Sequence, residues 1–98
     1  MKAGNGMDKN LNIFYEAADL LKALAHPVRL CIVKGLIEKG ECNVSYMQFC
    51  LDIPQSTVSQ HLQKLKAAGI IEARRNGIEV YYLVCNKKAA ELVNVLFN

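Results

Sequence analysis

The sequence predicts a mainly α-helical domain with one β-hairpin, in the order helix, helix, helix, helix, strand, strand, helix. Apolar residues recur at helical spacing in five segments. The pair Asn76-Gly77 lies between two short runs rich in β-branched and aromatic residues, which is a strong hairpin signal. A length of 98 residues suits one domain. We therefore expect residues 1–98 to form a single α+β domain, with the Gly-, Lys- and Asn-rich residues 1–10 fraying.

The first two helices are separated by a proline. Residues 11–25 carry apolar side chains every three or four positions and are predicted as the first helix. His26-Pro27 interrupts that pattern, and proline is favoured in the first turn of a helix, so the second helix is predicted over residues 27–38. Its apolar residues cover more than one face, which is typical of a helix central to a core, and Gly40 ends it.

Two further helices are joined by a tight turn. A short third helix is predicted over residues 44–51 and a fourth over residues 55–68, with Gly69 as its stop. The turn between them is Asp52-Ile53-Pro54. Short helices joined in this way form a helix-turn-helix unit.

A hairpin and a last helix complete the chain. Residues 70–74 and 78–84 are predicted as strands around a turn at residues 75–77. Asn86 is expected to cap a final helix over residues 87–97. A helix-turn-helix followed by a hairpin is a winged helix-turn-helix, a fold that binds DNA.

Positive charge is concentrated in one part of the chain. The formal net charge is +3, and residues 1–53 balance six basic side chains with six acidic ones. Residues 54–88 hold six basic side chains against two acidic ones, and the tail adds only Glu91. Such a segment is typical of a surface that binds a polyanion.

The fourth helix has a polar face of unusual composition. Val58, Leu62 and Leu65 form its apolar stripe, and the opposite face holds Ser, Thr and Gln with few carboxylates. Such side chains hydrogen-bond to base edges, whereas cations bind phosphates. The candidate base-contacting residues, with Gln55 at the start of the helix, are Gln55, Ser56, Thr57, Ser59, Gln60 and Gln63. The candidate phosphate-contacting residues are Lys64, Lys66, Arg74 and Arg75.

His61 lies beside the apolar stripe rather than at the centre of the polar face. We expect a packed, hydrogen-bonded histidine there, with a phosphate contact as the alternative, and so include His61 among the candidate DNA-binding residues. Neither His61 nor His26 has a second ligand three or four residues away, so no metal role is predicted for them.

The sequence resembles the ArsR/SmtB-type winged helix repressors. The resemblance rests on LLKALAHPVRL (20–30), PQSTVSQHL (54–62), LKAAGII (65–71) and VYYL (80–83), and it covers most of residues 13–85. It implies double-stranded DNA as partner and a homodimer formed through the first and last helices. It also implies repression of a nearby operon that is relieved by an inducer.

The metal-binding positions of that family are not filled here. Asn43 and Ser45 stand where metal-sensing members carry a Cys-x-Cys pair, with Cys42 one place away. The last helices of other members bind zinc through Asp and His, but residues 86–98 hold only Glu91 as a candidate ligand. We therefore predict no metal and no cofactor.

The four cysteines leave two alternatives open. In a reducing cytosol, free thiols buried as small apolar side chains are the default. Some relatives sense oxidants through a cysteine pair, and Cys42 lies where a helix dipole can lower a thiol pKa. The candidate redox pairs are Cys42 with Cys31 and Cys42 with Cys85.

Other classes of function have little support. The sequence contains no Gly-rich phosphate loop and no Cys-His pair within one segment, so neither of these enzyme motifs is present. No apolar run approaches the ~20 residues that cross a bilayer, and no signal peptide is visible, so we expect a cytoplasmic protein without membrane contact. A winged helix used only to bind proteins remains the rival class.

Overall fold

In a computed structural model, residues 11–98 are described, and five helices and two strands follow in the predicted order. The prediction that residues 1–10 fray lies outside the described residues. The elements are α1 (Leu11–Leu24), α2 (Pro27–Lys39), α3 (Val44–Leu51), α4 (Gln55–Ala67), β1 (Ile71–Asn76), β2 (Glu79–Val84) and α5 (Lys87–Phe97).

Side-chain caps define where three of the helices begin. His26 Nδ1 accepts a hydrogen bond from Val28 N at the start of α2, over 3.1 Å. Asn43 caps α3, and Asn86 caps α5 by accepting from Ala89 N over 2.9 Å. Each cap satisfies a backbone donor that the first turn of a helix leaves unpaired.

The hairpin turn lies one position later than predicted. The antiparallel register pairs Asn76 with Glu79, so the two-residue loop is Gly77-Ile78 and Asn76 is the last residue of β1. Gly77 has a φ of +69°, which glycine adopts without strain. Glycine in the first central position is typical of a type II′ turn, whereas Asn-Gly at both central positions would make type I′. The predicted turn at residues 75–77 is therefore wrong in register.

Cys42, between α2 and α3, forms a single antiparallel β-bridge with β2 of the hairpin. Cys42 N donates to Tyr82 O over 3.1 Å, and Tyr82 N donates to Cys42 O over 2.8 Å. Asn43 Nδ2 also donates to Glu79 Oε1 over 3.2 Å. The hairpin is thus attached to the start of α3.

One hydrophobic core holds all the elements together, and α2 contributes to it from more than one face, as predicted. Residues of α4, the hairpin and α5 pack around α2. The core residues are Leu24, Ile32, Val33, Leu36, Cys42, Met47, Val58, Leu62, Leu65, Ile70, Ile71, Ala89 and Val93.

The cysteines are less buried than the default expectation. Cys42 is buried, but Cys31, Cys50 and Cys85 are exposed. An apolar stretch of helix also has outward positions, and Cys31 and Cys50 occupy them on α2 and α3. The expectation of buried thiols is therefore wrong for three of the four.

Candidate nucleic-acid interface

The turn between α3 and α4 is set by one left-handed residue. Asp52 follows α3 with a φ of 56°, and its N–H donates to Gln48 O over 2.8 Å. Aspartate is among the few residues other than glycine that tolerate this conformation. The chain then runs through an extended Pro54 into α4. These residues form the predicted helix-turn-helix.

The two faces of α4 differ as the sequence predicts. Val58, Leu62 and Leu65 are 0%, 2% and 0% exposed and pack into the core. Thr57 and Ser59 are half-buried at the edge of the outward face. The exposed members of the predicted set on this helix are Gln55, Ser56, Gln60, Gln63, Lys64 and Lys66. The outward face therefore presents amides, hydroxyls and cations without a carboxylate.

The first turn of α4 keeps donors available for an anion. Pro54 is the N-cap, and it makes no side-chain capping bond. Pro54 O accepts from Thr57 N and Val58 N, at 3.0 and 3.1 Å. The N–H groups of Gln55 and Ser56 precede these and have no capping side chain, and the positive end of the helix dipole lies beside them. This arrangement suits a backbone phosphate.

The hairpin lies directly beside the polar face of α4. Ser59, Gln63 and Lys66 line a shallow pocket together with Tyr82 of β2. Because strand side chains alternate, Tyr82 shares its face of the hairpin with its partner Ala73 and with Arg75. Arg75 is exposed on the side of the hairpin that faces α4.

Arg74 and Arg75, both predicted to contact phosphates, have different surroundings. Arg74 points to the opposite face of the hairpin and forms an ion pair with Glu41, next to the start of α3. In residues 11–98 the other ion pair is Lys34–Glu38 on α2, so Arg75 is not engaged in one there. Arg75 therefore keeps its full charge for a ligand, whereas Arg74 attaches the hairpin to the α2–α3 segment.

His61 faces inward, as a packed and hydrogen-bonded histidine. Its Nδ1 lies 3.2 Å from Nη1 of Arg29, and its ring centroid lies 4.5 Å from that of His26. Burial, followed by the charges of His26, Arg29 and Lys64, lowers the pKa of His61 below its ordinary value. The prediction of a packed side chain fits this geometry better than the alternative of a phosphate contact. Arg29, at 9% exposed, was not identified from the sequence.

Three cysteines line one largely apolar pocket between α2 and α3. Cys31, Cys42 and Cys50 surround it together with Tyr46 and Met47, and its volume is about 250 Å³. Burial raises the pKa of the Cys42 thiol above its ordinary value. The expectation that a helix dipole lowers that pKa is therefore wrong, because Cys42 lies before the cap of α3 and is buried. Cys85 lies elsewhere, where its thiol donates to Gly69 O over 3.6 Å.

Two negative findings apply to residues 11–98. No group of three or more His, Cys, Asp or Glu side chains is arranged to hold a metal ion in this part of the chain. No helix in it is both long and apolar enough to cross a membrane.

Comparisons with known proteins agree with this geometry. A family of helix-turn-helix domains matches residues 24–74. The biofilm growth-associated repressor of Xylella fastidiosa is 45% identical over 91 residues, which is 93% of this chain and 76% of that protein. The crystal structure of the transcriptional repressor PagR of Bacillus anthracis superposes with a TM-score of 0.80 at 40% identity, covering 85% of this chain and 94% of that one.

A solution structure extends the comparison to an assembly. It is the homodimeric winged helix-turn-helix DNA-binding domain of Mb0332 from Mycobacterium bovis, described as a possible ArsR-family transcriptional regulator. Its TM-score is 0.80 at 33% identity, and the match covers 96% of this chain and 85% of that one.

Proposed function

Because the chain belongs to the ArsR/SmtB family of winged helix-turn-helix transcription regulators, we propose that it represses transcription by binding an inverted-repeat operator as a homodimer. Its relatives are DNA-binding repressors rather than enzymes. Operator DNA lies in the cytoplasm of the bacteria that hold relatives such as PagR, and we propose the same location for this protein.

The observation that carries the proposal is the composition and position of the outward face of α4. Gln60 and Gln63 are exposed on it, and a glutamine amide can pair with adenine through two hydrogen bonds in the major groove. Lys64, Lys66 and Arg75 flank this face with charge for the phosphates. We assign base recognition to the Ser, Thr and Gln side chains and positioning on the backbone to the cations. Arg74 supports the β1–β2 hairpin, which is the wing of this fold, through its ion pair with Glu41.

A second surface supports the homodimer. In α1 only Leu24 is buried, and the helix exposes large apolar side chains including Phe14 (53%) and Leu21 (54%). In α5 Val95 and Phe97 are exposed at 78% and 47%. Several large apolar side chains exposed on two helices are typical of an interface, because monomeric proteins rarely leave such patches in water. We propose that α1 and α5 form the dimer contact.

The mechanism follows from this assembly. A two-fold axis through the dimer would set two copies of α4 in successive major grooves, about one helical turn apart. The wings would contact the flanking backbone, with Arg75 directed at phosphates or the minor groove. A protein bound in this way over a promoter would exclude RNA polymerase.

Fluorescence anisotropy with the DNA upstream of the protein's own gene tests the proposal. We expect tight binding that weakens steeply with salt and that outcompetes a random duplex of equal length. A winged helix that only binds proteins would show neither property. Binding of equal strength to both duplexes would overturn the assignment of a specific repressor.

The shared cysteine pocket supports a second candidate, a thiol-responsive repressor. Cys31 and Cys42 line the same pocket, whereas Cys85 does not, so of the two predicted pairs we favour Cys42 with Cys31. Two thiols and one hydrogen peroxide would give one disulfide and two waters. The backbone of Cys42 pairs with Tyr82, so this bond would strain the attachment of the wing.

Anisotropy after peroxide treatment tests this candidate with matched variants. We expect oxidation to weaken DNA binding by wild type and by Cys85→Ser, but not by Cys42→Ser or Cys31→Ser. Loss of binding in all four proteins, or in none, would contradict it.

A further inference from the structure

A cluster of three basic side chains joins the recognition helix α4 to α1 and α2. Arg29 of α2 is 9% exposed, and its Nε donates to Ala23 O of α1 over 2.6 Å. Its Nη1 lies 3.2 Å from His61 Nδ1 on α4. The guanidinium of Arg29 thus links α2 to both α1 and α4. Of these two hydrogen bonds, only the one to α4 can be broken by protonation, because its acceptor is an imidazole nitrogen and the other acceptor is a backbone carbonyl.

The hydrogen bonds fix the protonation of both imidazoles. A guanidinium has donors but no acceptor, so His61 Nδ1 must accept and its proton must lie on Nε2. His26 Nδ1 likewise accepts from Val28 N. The two rings are 4.5 Å apart between centroids and tilted by 47°. The cluster is therefore built for two neutral imidazoles beside one permanent cation.

The charges around His61 oppose its protonation. Burial has the largest effect and lowers its pKa. The basic groups that face His61 act in the same direction: Arg29 from α2, Lys64 from α4 itself and, when its ring is also protonated, His26 from the α1–α2 turn. A proton on Nδ1 would replace the hydrogen bond to Arg29 with repulsion between two cations.

We infer that Arg29 is a positioning residue that holds α4 in its DNA-binding orientation through neutral His61, and that protonation of His61 releases this contact and weakens operator binding. The inference rests on the proposed function, since the affinity concerned is that for DNA. His61 itself need not touch the nucleic acid.

The expected direction of the pH effect on DNA affinity distinguishes the Arg29–His61 contact from general electrostatic attraction to phosphates. Adding a proton to a DNA-binding protein makes it more cationic and ordinarily strengthens binding to phosphates. Here acidification is expected to weaken binding. The chain has only two histidines, so few other side chains change charge between pH 7.5 and 5.5.

The test measures anisotropy with a fluorescein-labelled duplex of the upstream region at pH 7.5 and 5.5, at constant ionic strength. In His61→Asn, the amide oxygen replaces Nδ1 as acceptor but cannot be protonated in this range. Arg29→Gln removes the donor. Lys34→Gln is its matched control, because it removes one charge from a half-buried position of the same helix, where Lys34 pairs with Glu38 and not with α4.

We expect wild type and Lys34→Gln to bind about two- to tenfold more weakly at pH 5.5, because a group whose pKa is lowered below about 6.5 cannot weaken binding by more than about tenfold over this range. For His61→Asn the two affinities should differ by less than twofold, and Arg29→Gln should bind weakly at both pH values. Circular dichroism at pH 5.5 should show that each variant remains helical. Specific binding by wild type that is equal or tighter at pH 5.5 would overturn the inference while leaving the proposed function intact.

Nitrogen NMR of the two imidazoles gives a readout that does not involve DNA. We expect His61 to carry its proton on Nε2 and to titrate below an ordinary histidine, and Arg29→Gln to raise its pKa. If no duplex is bound specifically, the proposed function fails and this spectrum still decides the local contact. A proton on Nδ1 of His61 at pH 7.5, or a pKa unaffected by Arg29→Gln, would overturn the inference.

Discussion

The two exposed surfaces of this small domain differ in chemistry. The surface made by α4 and the wing presents amides, hydroxyls and cations. Gln60 lies at its centre and Arg75 at its edge. By contrast, α1 and the end of α5, which the proposed dimer contact combines, expose apolar side chains such as Phe14 and Val95. In the proposed function, this chain of 98 residues would bind a polyanion with one surface and a second copy of itself with the other.

The difference teaches how such a short protein can recognise DNA. A single helix in one major groove makes few contacts with DNA. When two such helices are linked in a dimer, the affinity for two half-sites rises without any additional type of contact. In the proposed homodimer, the apolar surface would therefore be as necessary to DNA binding as the polar one. Variants of each surface should separate the two contributions.

The largest effect should come from the apolar surface. Phe14→Glu places a charge in the proposed dimer contact and should produce a folded monomer, because Phe14 is exposed in the single chain. Loss of paired binding should lower operator affinity by about 10²–10⁴-fold. Light scattering gives the oligomeric state and anisotropy the affinity.

Phe49→Glu is the matched control for that variant. Phe49 is 85% exposed on α3 and lines a pocket with the α3–α4 turn, so this protein should remain a dimer. If Phe14→Glu remained a dimer, the proposed interface would be wrong. If Phe49→Glu were a monomer, the interface would include α3.

Gln60→Ala should have the next largest effect, on the polar surface. Loss of a two-bond contact to a base should cost ~1–3 kcal/mol of operator binding and relax the preference at one position of each half-site. Competition between the operator and single-base variants measures it. An equal loss on operator and random duplexes would show that Gln60 does not read bases.

The two arginines of the wing should differ. Arg75→Ala should weaken binding to all sequences alike and reduce the slope of log affinity against log salt by about 1. Arg74→Ala should change that slope less, because Glu41 already neutralises Arg74. A salt series on both variants measures this, and equal slopes would remove the distinction between the two side chains.

The smallest effect should be on folding stability and its pH dependence. Because the pKa of His61 is lowered in the folded chain, the unfolded chain binds more protons as pH falls through the ordinary histidine value. The free energy of unfolding should therefore be highest above about pH 6.5 and decrease as the pH falls through the lowered pKa. Urea titrations of wild type and His61→Asn measure this, and a flatter pH profile for wild type than for the variant would contradict it.

The order of elements was predictable because it depends on local patterns. Helical periodicity, Pro27 after His26 and the apolar stripe Val58, Leu62 and Leu65 all act within a few residues. The hairpin was predictable as a unit but not in its register, since Asn76-Gly77 is compatible with turns centred on either side of Gly77.

The parts of the site that were missed depend on contacts between distant residues. Arg29 and His61 are 32 positions apart, and arginine is rarely buried, so neither spacing nor residue type pointed to the pair. Arg74 and Glu41 are 33 positions apart. The sharing of one pocket by Cys31, Cys42 and Cys50 likewise depends on how α2 packs beside α3.

Hydroxyl-radical footprinting of the upstream DNA tests whether the protein reads an inverted repeat as a homodimer. We expect two protected regions related by two-fold symmetry, with their centres about one helical turn apart, from one α4 of each protomer. Gln60→Ala should weaken both regions equally. A single protected region, or protection spread evenly along the duplex, would contradict a homodimer that reads an inverted repeat.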